Sequence, residues 1–322
     1  MSVASRKRWV EKRSRERAER RAERERITNP GFSVELPPSP DISAEELIAR
    51  RIDDFNRVNE YEEGRKLIHV DVKMSGPIGV LHFGDPHVDD DGCDWPMLKH
   101  HVELVDKTPG LFAANVGDTR NNWVGRLARL FGSQGTSAKH ALILAKWFVA
   151  ALKGQWLYMI GGNHDAWSGD DDPMEWIACQ ASALYEPSEA RLGLRFPNGR
   201  QVIINARHDF AGSSQWNPTH GPMKAAQLGL RDDVLICGHK HQSGYSPLKD
   251  PDTGKILHCI QVASYKRYDR YAREKGFRDQ SLSPCVLTVI DPDATNPANL
   301  IQVFWDADRG AEYLTWLRSK AA

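Results

Sequence analysis

Residues 78–87 read Ile78-Gly79-Val80-Leu81-His82-Phe83-Gly84-Asp85-Pro86-His87. A short apolar run ends in glycine and is followed at once by an aspartate and a histidine two apart. The same grammar recurs down the chain. Runs at Leu111–Val116, Trp156–Ile160, Val202–Asn205, Val234–Cys237, Ile256–Val262, Cys285–Ile290 and Leu300–Trp305 have strand length and composition, and most stop at Gly, Asp, Asn or His. Between the early runs the spacing predicts helices near Pro96–Asp106, Trp123–Phe131, Ala138–Leu152 and Pro173–Leu184. Early strands alternate with helices and later strands follow one another closely. That pattern predicts a mixed α/β layered domain with two sheets.

Five segments at predicted strand ends carry metal-ligating residue types. They are Asp85-Pro-His87, Gly117-Asp118-Thr-Arg-Asn121, Gly162-Asn163-His164-Asp165, His208 after Gln201–Arg207, and Gly238-His239-Lys-His241. In layered α/β folds the carboxyl ends of strands meet along one edge, where ligands bind. Carboxylate, amide oxygen and imidazole together suit borderline divalent cations. A Gly-His-x-His is expected about 0.03 times by chance in a chain of this composition, and the ordered set far less often.

In that order the motifs resemble those of the calcineurin-like metallophosphoesterase superfamily, and the flanking stretches Gly117–Leu127 and Arg207–Asn217 are similar to members encoded by bacteriophages and prophages. The resemblance implies a four-layer sandwich of two mixed β-sheets flanked by helices, over roughly residues 75–306. It implies binuclear, metal-dependent hydrolysis of a phosphate ester, as a phosphodiesterase or phosphatase, by a hydroxide bridging the metals. One metal would take Asp85, His87, Asp118 and His241; the other would take Asp118, Asn163, His208 and His239, with Asp118 as the bridge. Manganese is the first expectation, with Fe, Zn, Co or Ni as alternatives for an N/O donor set.

In the same reading His164 is not a ligand but assists the leaving group, with Asp165 orienting it. His208 is preferred as the fourth-motif histidine because it follows a strand directly; His220 is its rival. Asn121, Arg120, Lys266 and Arg267 are expected to bind substrate, although Asn121 and Asn122 also suit a helix cap. Asp89-Asp90-Asp91 reads as a solvated loop, His100 and His101 as structural. Tyr265, Tyr268 and Tyr271, interleaved with Lys and Arg over residues 265–273, form either a nucleic-acid surface or a stripe packed on the domain.

The remaining features concern organisation. Across 322 residues the formal charge is zero, yet residues 1–26 hold 11 Lys/Arg against 5 Glu. A basic helical arm therefore precedes an acidic body, and it is a second candidate contact for nucleic acid. The expected division is a basic arm and Pro-rich linker over 1–40, a helical segment over 41–75 that packs on the main domain through Ala44, Ile48, Ile52 and Phe55, and the catalytic domain over 76–322. No stretch has the roughly 20 unbroken apolar residues of a membrane span. No secretory signal is visible, and five scattered cysteines favour a reducing, cytoplasmic setting in a bacterial or phage-infected cell. A DNA nuclease of the same superfamily and a non-catalytic adaptor are the competing functions.

Overall fold

The computed structural model describes residues 9, 11–20, 28–29, 31–33, 42–167, 172–214, 216–229, 231–268 and 281–321, in two units, Met1–Tyr61 and Glu62–Ala322. In the first, residues 11–20 are helical and exposed throughout, and β1 (Thr28–Asn29) pairs antiparallel with β2 (Phe32–Ser33). The helix α1 (Ala44–Arg65) starts where Ser43 Oγ accepts the Glu46 amide at 3.0 Å, half of a capping box. It contains no buried residue: Ile48, Ile52 and Phe55 are 59%, 54% and 67% exposed. The other described parts of the arm lie in residues 9 and 11–20; residues 1–8, 10 and 21–27 are outside the description.

The second unit is built on two six-stranded sheets. Along the chain its elements are β3 (Ile68–Asp71), β4 (Ile78–Phe83), α2 (Trp95–Lys107), β5 (Leu111–Asn115), a 3-10 helix (Gly125–Ser133), α3 (Ala138–Ala151) and β6 (Trp156–Ile160). There follow α4 (Asn163–Ala166), α5 (Pro173–Gln180), β7 (Tyr185–Glu186), β8 (Glu189–Arg195), β9 (Gln201–Arg207), α6 (His220–Leu228), β10 (Val234–Cys237) and β11 (Gly244–Lys249). The chain closes with β12 (Ile256–Gln261), β13 (Cys285–Ile290), α7 (Pro297–Leu300), β14 (Ile301–Phe304) and α8 (Ala307–Ala321).

One sheet has the order β14-β13-β4-β5-β6-β7, the other β11-β12-β10-β9-β8-β3. In the first, β4 to β7 run parallel and β13 and β14 are antiparallel additions. In the second, β9, β10 and β12 run parallel. All six residues of β4 are buried, as a strand covered on both faces requires. Its inward side chains Ile78 and Val80, with Val116, Tyr158 and Ile160, pack against Leu192, Ile204, Val234, Ile236 and Ile260 of the other sheet. Its opposite face, Leu81 and Phe83, meets Leu98 and Val102 of α2, Phe148 of α3, Met174 of α5 and Leu314 of α8. On the far side of the second sheet Leu235, Cys237, Leu257 and Cys259 pack with Phe210 and Ala226, the latter from α6. The result is helices, sheet, sheet, helix: the four-layer α/β sandwich expected from the sequence. Among the described residues no helix is long and apolar enough to cross a membrane.

Candidate metal centre

The carboxyl ends of β4, β5, β6, β9 and β10 meet at one place, and each delivers one of the five sequence segments. Asp85 follows β4, whose extension is locked by Ser264 Oγ donating to the Asp85 carbonyl at 2.7 Å. Asp118 follows β5, Asn163 opens α4 after β6, His208 follows β9, and His239 and His241 follow β10. The chain must bend sharply at these points. Among the described residues six that are not glycine have positive φ, and four are His87 (42°), Asp118 (41°), His239 (69°) and His241 (51°). Such left-handed conformations cost about 1–3 kcal/mol each and persist where the surroundings over-determine them. Gly117 (φ 130°) is needed twice over, because a Cβ there would also fall on the His208 ring.

Asp118 Oδ2 is the centre of the arrangement. It lies 3.3 Å from His208 Nε2, 4.0 Å from His87 Nε2 and 3.9 Å from His164 Nε2. Asp118 Oδ1 instead accepts the His164 backbone N–H at 2.9 Å. On one side, Asp85, His87 and His241 group together, with His241 Nε2 at 3.3 Å from Asp85 Oδ2 and at 3.2 Å from His87 Nε2. On the other side, Asp118, His208 and His239 form a second group. A third grouping of His87, Asp118 and His164 lies between them. Asp85, His87, Asp118 and His208 are buried, whereas His239 is exposed and gives the centre its open side.

The donor chemistry fits cations. His208 Nδ1 lies 3.0 Å from the Val116 carbonyl, so Nδ1–H donates there and the Nε2 lone pair points inward. That lone pair faces Asn163 Oδ1 at 2.9 Å, Asp118 Oδ2 at 3.3 Å and His239 Nδ1 at 3.1 Å. Acceptors crowded on a lone pair repel unless a proton or a metal ion sits among them. The opposing His87 and His241 nitrogens pose the same problem, and Asp85 Oδ1 and His87 Nδ1 are buried without a hydrogen-bond partner. In the protein alone protons do part of this work. Burial opposes a charge on His208, but the Asp118 carboxylate outweighs it and pushes the imidazole up to about 10. The Asp118 carboxyl is held far below its usual range, its burial being outweighed by His208. His87 is pushed well down by burial and by neighbouring His164 and His241. A metal at Asp118 would take the place of the His208 proton.

His220, the rival to His208, starts α6, is exposed and joins none of these groups. His164 lies beside Asp118, but its ring is oriented by a different partner from the one expected. His164 Nδ1 bonds the backbone carbonyl of Asn121. Asp165 turns away: its Oδ2 accepts the amides of Gly162 at 3.1 Å and Thr119 at 3.3 Å. Fully buried, and with Asp118 nearby, the Asp165 carboxyl is pushed up to about 7. Its place is in the turn that shapes the Gly162–Asp165 loop, so the role of orienting His164 passes to Asn121. Two indoles flank His164, Trp123 with ring centroids 5.0 Å apart and Trp167 at 4.3 Å, and the His87 ring lies at 5.1 Å. Trp167 carried no sequence signal.

The four expected substrate contacts are placed differently. Asn121 is fully buried and its Nδ2 donates to Asp90 and Gln134 at 2.8 and 3.0 Å. Arg120 is buried and its Nη1 donates to Asn122 Oδ1 at 3.2 Å. Lys266 pairs with Asp90 at 3.1 Å and lies over the Trp123 ring at 5.2 Å. Arg267 is exposed, 3.6 Å from Asp94. The first three thus have partners within the fold. Asp89, expected in a solvated loop, is buried. Tyr265 packs in the core with its hydroxyl 2.7 Å from His101 Nδ1, while Tyr268 is exposed; residues 269–280, including Tyr271, lie outside the description.

No known family profile matches the sequence, and no curated protein matches it. Solved structures align with part of the chain. The calcineurin-like phosphoesterase YfkN from Bacillus subtilis aligns at 12% identity and a TM-score of 0.38, over 76% of this chain and 99% of that one. The NAD nucleotidase NadN of Haemophilus influenzae aligns at 10% identity and a TM-score of 0.35, over 71% of this chain and 49% of that one. Vacuolar Protein Sorting 29 from Cryptosporidium parvum aligns at 11% identity and a TM-score of 0.36, over 71% and 98%.

Proposed function

We propose that this chain is a metal-dependent hydrolase of phosphate esters. Asp85, His87, Asp118 and His241 would hold one divalent cation and Asp118, Asn163, His208 and His239 the other. The observation that carries this reading is the position of Asp118 Oδ2 between the His208 and His87 nitrogens, with acceptors crowding both sides. When bound, two such cations polarise a phosphoryl group and acidify water. Against two carboxylates they leave the centre positive, which selects an anionic substrate.

The chain's own residues do the rest. Val116 fixes the His208 tautomer through Nδ1. The amide of His239 donates to Asp85 Oδ2 at 2.6 Å and aims that carboxylate. Asn121 holds His164 at Nδ1, which leaves Nε2 to carry a proton toward the departing oxygen. His164 keeps 13% of its side chain accessible, enough for an ester to reach it.

The test is hydrolysis with added Mn²⁺ across aryl monoesters, aryl diesters, cyclic nucleotides and single- or double-stranded DNA, with His164→Gln alongside. Turnover of an ester that falls about 10²–10⁴-fold in His164→Gln for a poor leaving group, and much less for a nitrophenolate, is the expected result. Activity on DNA alone would make the chain a nuclease. No turnover of any ester by protein shown to carry its metals would reject the enzymatic reading.

A further inference from the structure

Three consecutive residues grip His164 at its ring nitrogen, its backbone carbonyl and its ring face or edge. The Asn121 carbonyl bonds Nδ1 of the ring. Asn122 Nδ2 donates to the His164 backbone carbonyl at 2.7 Å. Trp123 packs against the ring at an interplanar angle of 72°. These residues lie in a connection between β5 and the 3-10 helix, with no ladder to fix them. One side chain from just beyond the 3-10 helix does so. Gln134 Oε1 accepts from Asn121 Nδ2 at 3.0 Å and from Trp123 Nε1 at 2.9 Å. Gln134 Nε2 donates to Asp89 Oδ2 at 2.9 Å and to the Thr136 carbonyl at 3.2 Å. Asp89 uses its other oxygen to accept the Asn121 amide at 2.7 Å.

The polarity of this brace is dictated by its members. Trp123 Nε1–H and Asn121 Nδ2 can only donate, so the oxygen of Gln134 must face them. The Asp89 carboxylate can only accept, so the nitrogen must face Asp89. Both accepting sites and both amide protons of Gln134 are used.

We propose that Gln134 is a positioning residue for His164: with Asp89 it locks Asn121 and Trp123, and these hold the imidazole where a leaving group departs. The consequence for catalysis rests on the leaving-group role of His164 argued above. A misplaced acid of this kind costs about 10–10²-fold in rate.

Donor and acceptor can be exchanged at constant charge. Gln134→Glu sets two acceptors face to face, and Asp89→Asn sets two donors face to face. The double variant Asp89→Asn/Gln134→Glu restores the bond between them and keeps acceptors for Asn121 and Trp123, at the cost of turning an acceptor toward the Thr136 carbonyl. Each variant, loaded with diamagnetic Zn²⁺, is followed by the His164 Nδ1–H resonance, melting temperature and metal content. Rates are measured on good and poor leaving groups. The expected result is a shifted or lost His164 signal in both single variants with metals retained, a 10–10²-fold fall confined to poor leaving groups, and recovery of both in the double variant. An unmoved His164 signal in folded single variants, or no recovery in a folded double variant, would overturn the proposal. If the single variants fail to fold, the double variant alone decides. If the signal moves and recovers while the leaving-group dependence stays flat, the positioning role stands and the acid role of His164 is what fails.

Discussion

Asn163 Oδ1 and His208 Nε2 stand 2.9 Å apart, although Asn163 opens the helix after β6 in one sheet and His208 follows β9 in the other. The centre is thus stitched across the seam between the two sheets, and in the proposed assignment Asp118 is the ligand both cations share. Loss of a shared residue should cost more than loss of a residue on one side. Elemental analysis of Asp118→Ala is expected to show less bound metal than His239→Ala, with both nearly inactive. Full metal content in Asp118→Ala would remove the bridging assignment.

Gly117 offers a steric version of the same test. Its positive φ and the His208 ring beside it leave no room for a methyl group. Gly117→Ala should displace His208, lowering metal content toward one ion per chain and activity by at least about tenfold, on the scale expected when metal support is lost. Gly199 has a φ of 83° but open space around its Cβ position. Gly199→Ala should therefore show backbone strain alone, as a lower melting temperature with unchanged metal content. Equal metal loss in both variants would show that general destabilisation, not the clash, is responsible.

The sequence exposed the centre of each sheet and little of its margins. β4, β10 and β13 are uninterrupted apolar runs because both their faces are covered. β11 escaped because it is an edge strand of alternating exposure that contains Pro247, which only an edge tolerates. β8 escaped because Glu189, Arg191 and Arg195 break its apolar character. Helix α6 begins His220-Gly221-Pro222, which reads as a turn. At the site, the ligand types were legible because each follows its strand within a few residues. Gln134 was not, since it lies 13 positions after Asn121 and the stretch between them obeys no periodicity. The surroundings of Lys266 were hidden for a related reason: sequence gives its charge but not its pairing with Asp90.

The arm makes a separable prediction. Residues 11–20 are helical and exposed along their whole length. Deletion of residues 1–26 should leave the melting temperature and turnover of small esters close to those of the full chain. If the arm contacts nucleic acid, the deletion should also weaken DNA binding and flatten its dependence on salt. A collapse in melting temperature would mean that the arm is part of the folded core, and unchanged DNA binding would take the arm out of any nucleic-acid role.

Buried neutral histidines away from the ligands should set the acid limit of stability. His82, between Tyr158 and Thr288 at 2.7 and 2.9 Å, is pushed down to about 3 by burial. His258, 2.8 Å from the Tyr245 hydroxyl, is pushed down to about 4 by burial. Both stay neutral in the folded protein but take a proton when it unfolds below the ordinary value of 6.5. The unfolded state therefore binds more protons in this window, and stability falls as pH falls. For each histidine the contribution is whole above pH 6.5 and is lost toward its folded value, with a slope of up to about 1.4 kcal/mol per pH unit. His258→Gln keeps a partner for Tyr245 and removes the titration. Urea unfolding at pH 7 and pH 5 should show the variant losing about 2 kcal/mol less than the parent over that interval. Parallel losses in the two proteins would mean that His258 is already protonated in the folded state and that burial does not hold it neutral.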